Sequence, residues 1–448
     1  MARGRVARRP RRATRTGVWF QQRRVGTLTR QPDGGMAFSY DPAWMEDERA
    51  FPVASSLPLS VRTWRGDAVF SAFDNLLPDA EGDLRDRIAA RVGTDGKDVH
   101  SLLSVLGRDC VGALQFLPAD TEPVDAGMEF RPVTDAEIAA DLANLAAAPL
   151  ALGEDEDFRI SIAGAQEKTA YLRVKDQWAK PRGITPTSHI FKTSMGVLPG
   201  PDEIDMTDSV DNELYCMTLA DEMGLPVARV QKLAFDGTPV LVVERFDRRW
   251  DGDTLRRLPQ EDLCQCLGIP SARKYQRLGG PGVADVMAVL READDPAADR
   301  GMFFRAQVFF YLIGAPDGHG KNFSLHMGAR GRFRLAPLYD ILSVAPVMRS
   351  GRLQRKRYRL AMAIAGHYGI DEIVPRHYEQ EARAAGLPEG QGARILAEMA
   401  SRIRAGVAAT ARRVEAATLN GVGRIIGAEA TARADMVLAL LDDPRTPG

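Results

Sequence analysis

The chain has 448 residues, with 59 lysines and arginines against 60 acids, and its net charge of -1 excludes a protein that holds nucleic acid by average charge alone. With 45% hydrophobic and 27% charged residues, and 41 glycines and 27 prolines spread along the chain, the composition is that of an ordinary globular protein, long enough for two or three cores. No apolar run is long enough to cross a bilayer and the basic N-terminus lacks the apolar segment of a secretory signal, so a cytoplasmic protein is expected.

Residues 1–16 carry seven arginines and no acid, which predicts a disordered basic arm with structure beginning at Val18. Short apolar pieces at 18–20, 25–29 and 113–118, with helical patterning at 67–77 and 83–92, predict a small α+β unit over 17–125. An alanine-rich amphipathic helix is expected over 134–152. The pattern then changes to period two at Phe158, Ile160 and Ile162, followed by a Gly-containing turn and a second strand through Ala170, Leu172 and Val174. More extended pieces follow at 189–192 and across LAFDGTPVLVV, where Asp236-Gly237 is a hairpin signal. Between them Asp208 or Ser209 begins a helix that runs to about Met223 and stops at Gly224. These pieces make a β-rich lobe over 126–247, and from 248 to 448 the sequence reads as a helical lobe. Together they predict an α+β fold with the two lobes of a protein kinase. Cys110, Cys216, Cys264 and Cys266 form no CxxC and the six histidines have no metal-ligand spacing, so core thiols are expected.

The segment SIAGAQEKTA at 161–170 offers Gly164 for close approach of backbone N–H groups to an anion, and Lys168 as a point charge. It is not a Walker A loop, because Glu167 stands where a glycine must precede the lysine and a strand pattern follows. A sharper signal lies in GAPDGHGKNFSLHM, where Asn322 follows Asp317 at the interval separating a kinase's catalytic aspartate from its metal-binding asparagine. Such spacing lets a carboxylate take the proton of an attacking hydroxyl while an amide oxygen nearby holds Mg²⁺. Phe323 to Met327 then reads as a strand, and FRLAPLYD as a returning strand that ends in Asp340, a second metal ligand. Lys192 closes a strand at the position of a phosphate-pairing lysine, and Glu213 in the next helix is its expected ion-pair partner. The backbone from Glu244 to Phe246, at the end of the β lobe, is the expected adenine hinge.

At these residues the sequence resembles the HipA kinases, the toxin halves of bacterial type II toxin–antitoxin pairs. The likeness runs through FDNLLPD at 73–79, GRDCVGALQFLP at 107–118, RISIAGAQEKTA at 159–170, HIFK at 189–192, SVDNE at 209–213 and VERFDRRW. It continues through RLPQEDLCQ at 257–265, KYQRLGGPG at 274–282, DGHGKNFS at 317–324 and LAPLYDILS at 335–343. The resemblance implies an ATP- and Mg²⁺-dependent serine/threonine protein kinase that phosphorylates an aminoacyl-tRNA synthetase. It also implies a HipB-like antitoxin dimer that carries the complex to operator DNA. Carried over by residue, Asp317 is the catalytic base, Asn322 and Asp340 bind the metal, and Ser161 is the autophosphorylation site. Ala163, Gly164, Gln166, Lys168, Lys192, Glu244, Phe246, His319 and Lys321 join Asn322 and Asp340 around the nucleotide. One departure is Pro316, where the family commonly has threonine, which removes a backbone donor beside the base.

Two other readings compete: a catalytically weak kinase-fold scaffold that acts as a transcriptional co-repressor, and a small-molecule phosphotransferase. The joint presence of Lys192, Asp317, Asn322 and Asp340 speaks against the first. A cluster of Arg349, Arg352, Arg355, Lys356, Arg357 and Arg359 follows Asp340, and its local field suits an acidic or nucleic-acid-bound substrate.

Overall fold

Two antiparallel sheets carry the first half of the chain in a computed structural model that describes residues 14–80, 84–94, 97–123, 127–145, 166–198, 203–351, 357–414, 418 and 421–442. The first sheet has five strands in the order Thr63–Arg65, Met36–Tyr40, Arg23–Arg30, Thr14–Phe20 and Leu114–Pro118. The helices Asp67–Asp74, Leu84–Val92 and Val99–Leu106 belong to the same unit. Order begins earlier than Val18: the first strand includes Thr14, Arg15 and Thr16, because Thr16 is buried with its hydroxyl 3.2 Å from His100 Nε2. The rest of the basic arm, residues 1–13, lies outside the described residues.

The second sheet has six strands in the order Val230–Phe235, Thr238–Glu244, His189–Lys192, Lys168–Val174, Gln177–Pro181 and Phe130–Pro132. Its hairpin turns at Asp236 (φ 46°) and Gly237 (φ 80°), the paired positive φ values that a two-residue turn demands. Tyr171, Phe191, Phe235 and Val240 share one buried cluster with Val18, Phe38, Phe73 and Phe116. The two sheets therefore share one core. The helix expected over 134–152 is described as Asp135–Ala143, opened by a capping box in which Thr134 and Glu137 exchange hydrogen bonds. Phe158, Ile160, Ile162 and the Gly-containing turn lie outside the described residues.

Ser209–Glu222 is helical and stops before Gly224 (φ 80°), as the sequence predicts, although the Asp208 side chain makes no capping bond. This helix packs into a second core with Pro296–Ile313, Pro375–Ala384, Gln391–Val414 and Val422–Asp442. The helical lobe also carries strands: Ser324–Met327 and Phe333–Leu335, both expected, join Gln260–Asp262 in a three-stranded sheet, and Arg359–Ile364 pairs with His367–Gly369, so the lobe is not helical throughout. Those strands frame the loop that carries Asp317. Three cysteines are buried and Cys266 is half-buried, all free thiols. Among the described residues no helix is long and apolar enough to cross a membrane.

Candidate active site

A cleft between the second sheet and the helical lobe is lined by Gln166, Lys168, Lys192, Glu213, Glu244, Phe246, Asp317, His319, Lys321, Asn322 and Asp340. Lys168 and Lys192 lie directly opposite each other on neighbouring strands, so the pleat sends both toward one face. Lys192 Nζ lies 2.7 Å from Glu213 Oε1 and 2.7 Å from Asp340 Oδ1, bridging the sheet, the Ser209–Glu222 helix and the segment after Leu335. Burial opposes its charge, but the two carboxylates outweigh burial and hold the ammonium protonated. Burial likewise pushes Asp340 upward, and Lys192 with Lys168 outweighs it, leaving the carboxylate firmly ionised. Glu213 is pushed up to about 7 by burial despite Lys192, whose charge it shares with Asp340. Lys168 is depressed to about 8, by burial first and then by Lys192 against the pull of Asp340.

The catalytic-type loop follows directly from helix chemistry. Pro296–Ile313 opens on Asp295, whose side chain accepts from Ala298 N, and ends at Gly314 in the left-handed region (φ 67°). The chain therefore turns sharply into Ala315, Pro316 and Asp317. Pro316 lacks an N–H, yet its carbonyl accepts from Ala361 N at 2.8 Å, so Arg359–Ile364 backs the loop. Gly318 is needed for space: a Cβ there would sit 2.4 Å from the Phe310 ring. Asn322 Nδ2 donates to Asp317 O at 2.8 Å, which fixes the amide and leaves its Oδ1 as the remaining acceptor. Asp340 lies in a loop with φ 60°, not at the end of a strand as expected; the returning strand is only Phe333–Leu335. A non-glycine residue held at positive φ costs of order 1–3 kcal/mol, and its ion pair with Lys192 helps to hold it there. An ionised carboxylate and an oriented amide oxygen on one cleft form a donor set suited to a hard cation.

Glu244, Arg245 and Phe246, where the adenine hinge is expected, line the same cleft. Glu244 N is occupied by Arg229 O at 2.9 Å, while the Phe246 ring stands between His326 (5.4 Å) and Tyr339 (5.5 Å). Gln166 Nε2 donates to Thr193 O at 2.8 Å, which ties it to the end of the Lys192 strand. His319 Nε2 is 3.8 Å from Asp317 Oδ2, but burial lowers its pKa, so this is a neutral imidazole and not an ion pair. Lys321 reaches the cleft wall with its ammonium on Asn75 O (2.9 Å), Asn75 Oδ1 (3.0 Å) and Asp262 Oδ2 (3.1 Å), so here it joins protein to protein. Ser161, Ala163 and Gly164 lie outside the described residues, as do Arg352, Arg355 and Lys356 of the basic cluster.

Asn75, Asp79, Asp262, Lys274 and Tyr275 also belong to this neighbourhood, and sequence reasoning assigned them nothing. Asp79 Oδ2 accepts from Lys274 Nζ, and Tyr275 Oη donates to Asp317 Oδ1, each at 2.5 Å. The available signal was their place within FDNLLPD and KYQRLGGPG.

Residues 160–407 match the HipA-like C-terminal domain and residues 16–117 the HipA N-terminal domain. A protein named putative kinase Y4mE, from Sinorhizobium fredii, is 38% identical over 73% of this chain and 76% of its own length. The serine/threonine-protein kinase toxin HipA of Shewanella oneidensis is 26% identical over 83% of each chain. Among solved structures, a chain from the complex of HipA, HipB and operator DNA of Shewanella oneidensis superposes with a TM-score of 0.79, at 24% identity, over 97% of this chain and 100% of that one. That likeness establishes the two-lobed kinase-like fold. With a domain match over more than half of its length and a relative at 38% identity, the chain belongs to the HipA kinase family.

Proposed function

We propose that this chain is an ATP- and Mg²⁺-dependent serine/threonine protein kinase. The observation that supports it most is the double ion pair of Lys192 with Glu213 and Asp340, since a kinase works only when its lysine–glutamate pair and its metal-binding aspartate are both in place. Lys168 and Lys192 would meet the nucleotide phosphates, and Glu244 to Phe246 would receive adenine. Asn322 and Asp340 would hold Mg²⁺, which neutralises charge on the phosphates when bound. Asp317 would accept the proton of the attacking serine hydroxyl, and its half-exposed carboxylate is open to such an acceptor. Within the family reading, the acceptor is an aminoacyl-tRNA synthetase, and the partner is a HipB-like antitoxin dimer that brings the chain to operator DNA.

Radiolabel transfer from ATP, read on protein and on small metabolites, tests this reading together with mass spectrometry of the chain itself. Asp317→Ala should abolish transfer to protein, and Ser161 should carry phosphate only in the active chain. Phosphate on Ser161, three residues before Gly164 in sequence, would bring about -1.5 to -2 charges and repel ATP. Protein labelling that survives Asp317→Ala would remove Asp317 from the chemistry, and label found only on metabolites would favour a small-molecule kinase.

A further inference from the structure

The carboxylate of Asp317 is already occupied on one side. Tyr275 Oη–H donates to Oδ1 at 2.5 Å, while His319 Nε2 lies 3.8 Å from Oδ2. Tyr275 is itself held from several directions. Its ring meets His319 edge-on at 5.0 Å, with Lys274 Nζ at 5.5 Å and the Arg277 guanidinium at 5.6 Å. Its carbonyl accepts from Leu278 N and Gly280 N, both at 2.9 Å. The neighbouring Lys274 ties this segment to two other places: its carbonyl accepts from Gly320 N at 3.1 Å, inside the Asp317 loop, and its ammonium pairs with Asp79. Asp79 belongs to the N-terminal unit, 195 residues away in sequence, and is almost fully buried.

We propose that Tyr275 is a positioning residue for Asp317, and that Asp79 of the N-terminal unit sets its place through Lys274. Tyr275 keeps its proton and fixes the rotamer of the carboxylate by holding Oδ1, which turns Oδ2 toward the acceptor. The acceptor hydroxyl then gives its proton to Oδ2 as its oxygen bonds to the γ-phosphorus, and the bond to the β-phosphate oxygen breaks to release ADP. The N-terminal unit thereby contributes to the order of the catalytic loop through Asp79 and Lys274. This inference rests on the kinase reading above.

The test uses the full chain with radiolabelled ATP, and myelin basic protein together with the chain itself as acceptors. Tyr275→Phe should lower turnover at saturating ATP by about tenfold to a hundredfold, since small misplacements of reacting groups cost up to about that factor. KM for ATP, binding of Mg²⁺–ADP and the melting temperature should not change. Tyr275→Ala should be no worse in turnover than Tyr275→Phe if the hydroxyl is what matters. Asp79→Asn should lower turnover about tenfold in the wild-type background and have little further effect beside Tyr275→Phe, as expected of residues acting in series. Asp79→Glu should restore part of the loss.

Full activity of Tyr275→Phe with loss only in Tyr275→Ala would reduce the residue to ring packing and overturn the proposal. Faster turnover of Tyr275→Phe would make the tyrosine a plug over the base and overturn it too. Additive losses from Asp79→Asn and Tyr275→Phe would sever the connection to the N-terminal unit. No transfer by the wild-type chain would fell the kinase reading and this inference with it, whereas wild-type transfer with an unchanged Tyr275→Phe fells the inference alone.

Discussion

Glu261 is a residue whose ionisation should be visible in stability. It is fully buried, and its carboxylate accepts from Ser55 N at 2.8 Å and from Ser55 Oγ, both on the N-terminal unit. Burial pushes it up to about 7 against the lowering effect of these two donors. Between about pH 4.5 and 7 the folded chain holds a proton that the unfolded chain has released. The associated stability is complete below the unfolded value and is lost as pH rises through 7, amounting to at most about 3 kcal/mol. Glu213, also pushed up to about 7, acts in the same window. Glu261→Gln keeps an acceptor for Ser55 and removes the titration, so its stability should fall less than that of the wild type between pH 5 and 7.5. Denaturant unfolding at the two pH values measures this; equal falls for both proteins would mean that Glu261 stays in one protonation state throughout.

At the scale of elements, the link between the N-terminal unit and the segment that follows the strand Thr238–Glu244 is a buried cluster around Asp109. Asp109 Oδ1 accepts from Arg248 Nη2 (2.8 Å) and Arg257 Nη2 (3.0 Å), and its Oδ2 from Thr187 N (2.9 Å) and Arg245 Nη1 (3.3 Å). Asp247 completes the group by accepting from Gly112 N at 2.7 Å and Arg245 Nη2 at 2.8 Å. Three guanidiniums thus share two carboxylates away from water, so Asp109→Ala would leave three buried cations facing one anion. Removing one partner from such a group costs about 3–5 kcal/mol. Asp176→Ala, at a fully exposed side chain, should cost nearly nothing. Equal denaturant midpoints for the two variants would contradict this account. The motifs GRDCVG and VERFDRRW were legible as family marks, and the second also as the end of the β lobe, but not as each other's counterions. Their contacts span 135 to 139 residues of sequence, and neither periodicity nor propensity reports which charges meet after the sheets have packed.

The same distinction holds for the whole molecule. Local spacing announced Asp317, Asn322 and the hairpin at Asp236-Gly237, because short-range geometry alone ties those residues together. Asp79 and Tyr275 were silent, since their partners arrive through tertiary packing. Packing also joins the N-terminal unit to the lobe that carries Asp317. Ser56 Oγ donates to Gln265 O (2.7 Å), Gln265 Nε2 to Ala72 O (3.0 Å), Asn75 Nδ2 to Ile269 O (2.9 Å) and Ser271 N to Asp74 Oδ2 (3.0 Å). Lys321, from the Asp317 loop itself, ends on Asn75 and Asp262. Separating these parts would give up these hydrogen bonds, each worth about 0.5–1.5 kcal/mol net, in addition to the core that the two sheets share. The N-terminal unit should therefore not melt ahead of the kinase lobes. Scanning calorimetry of the full chain should show one heat-absorption peak, with a van't Hoff enthalpy close to the calorimetric one. Lys321→Met, which removes the ammonium from Asn75 and Asp262, should lower that peak's temperature without splitting it. Two resolved peaks in the wild-type chain would mean that the units are joined more loosely than these contacts require.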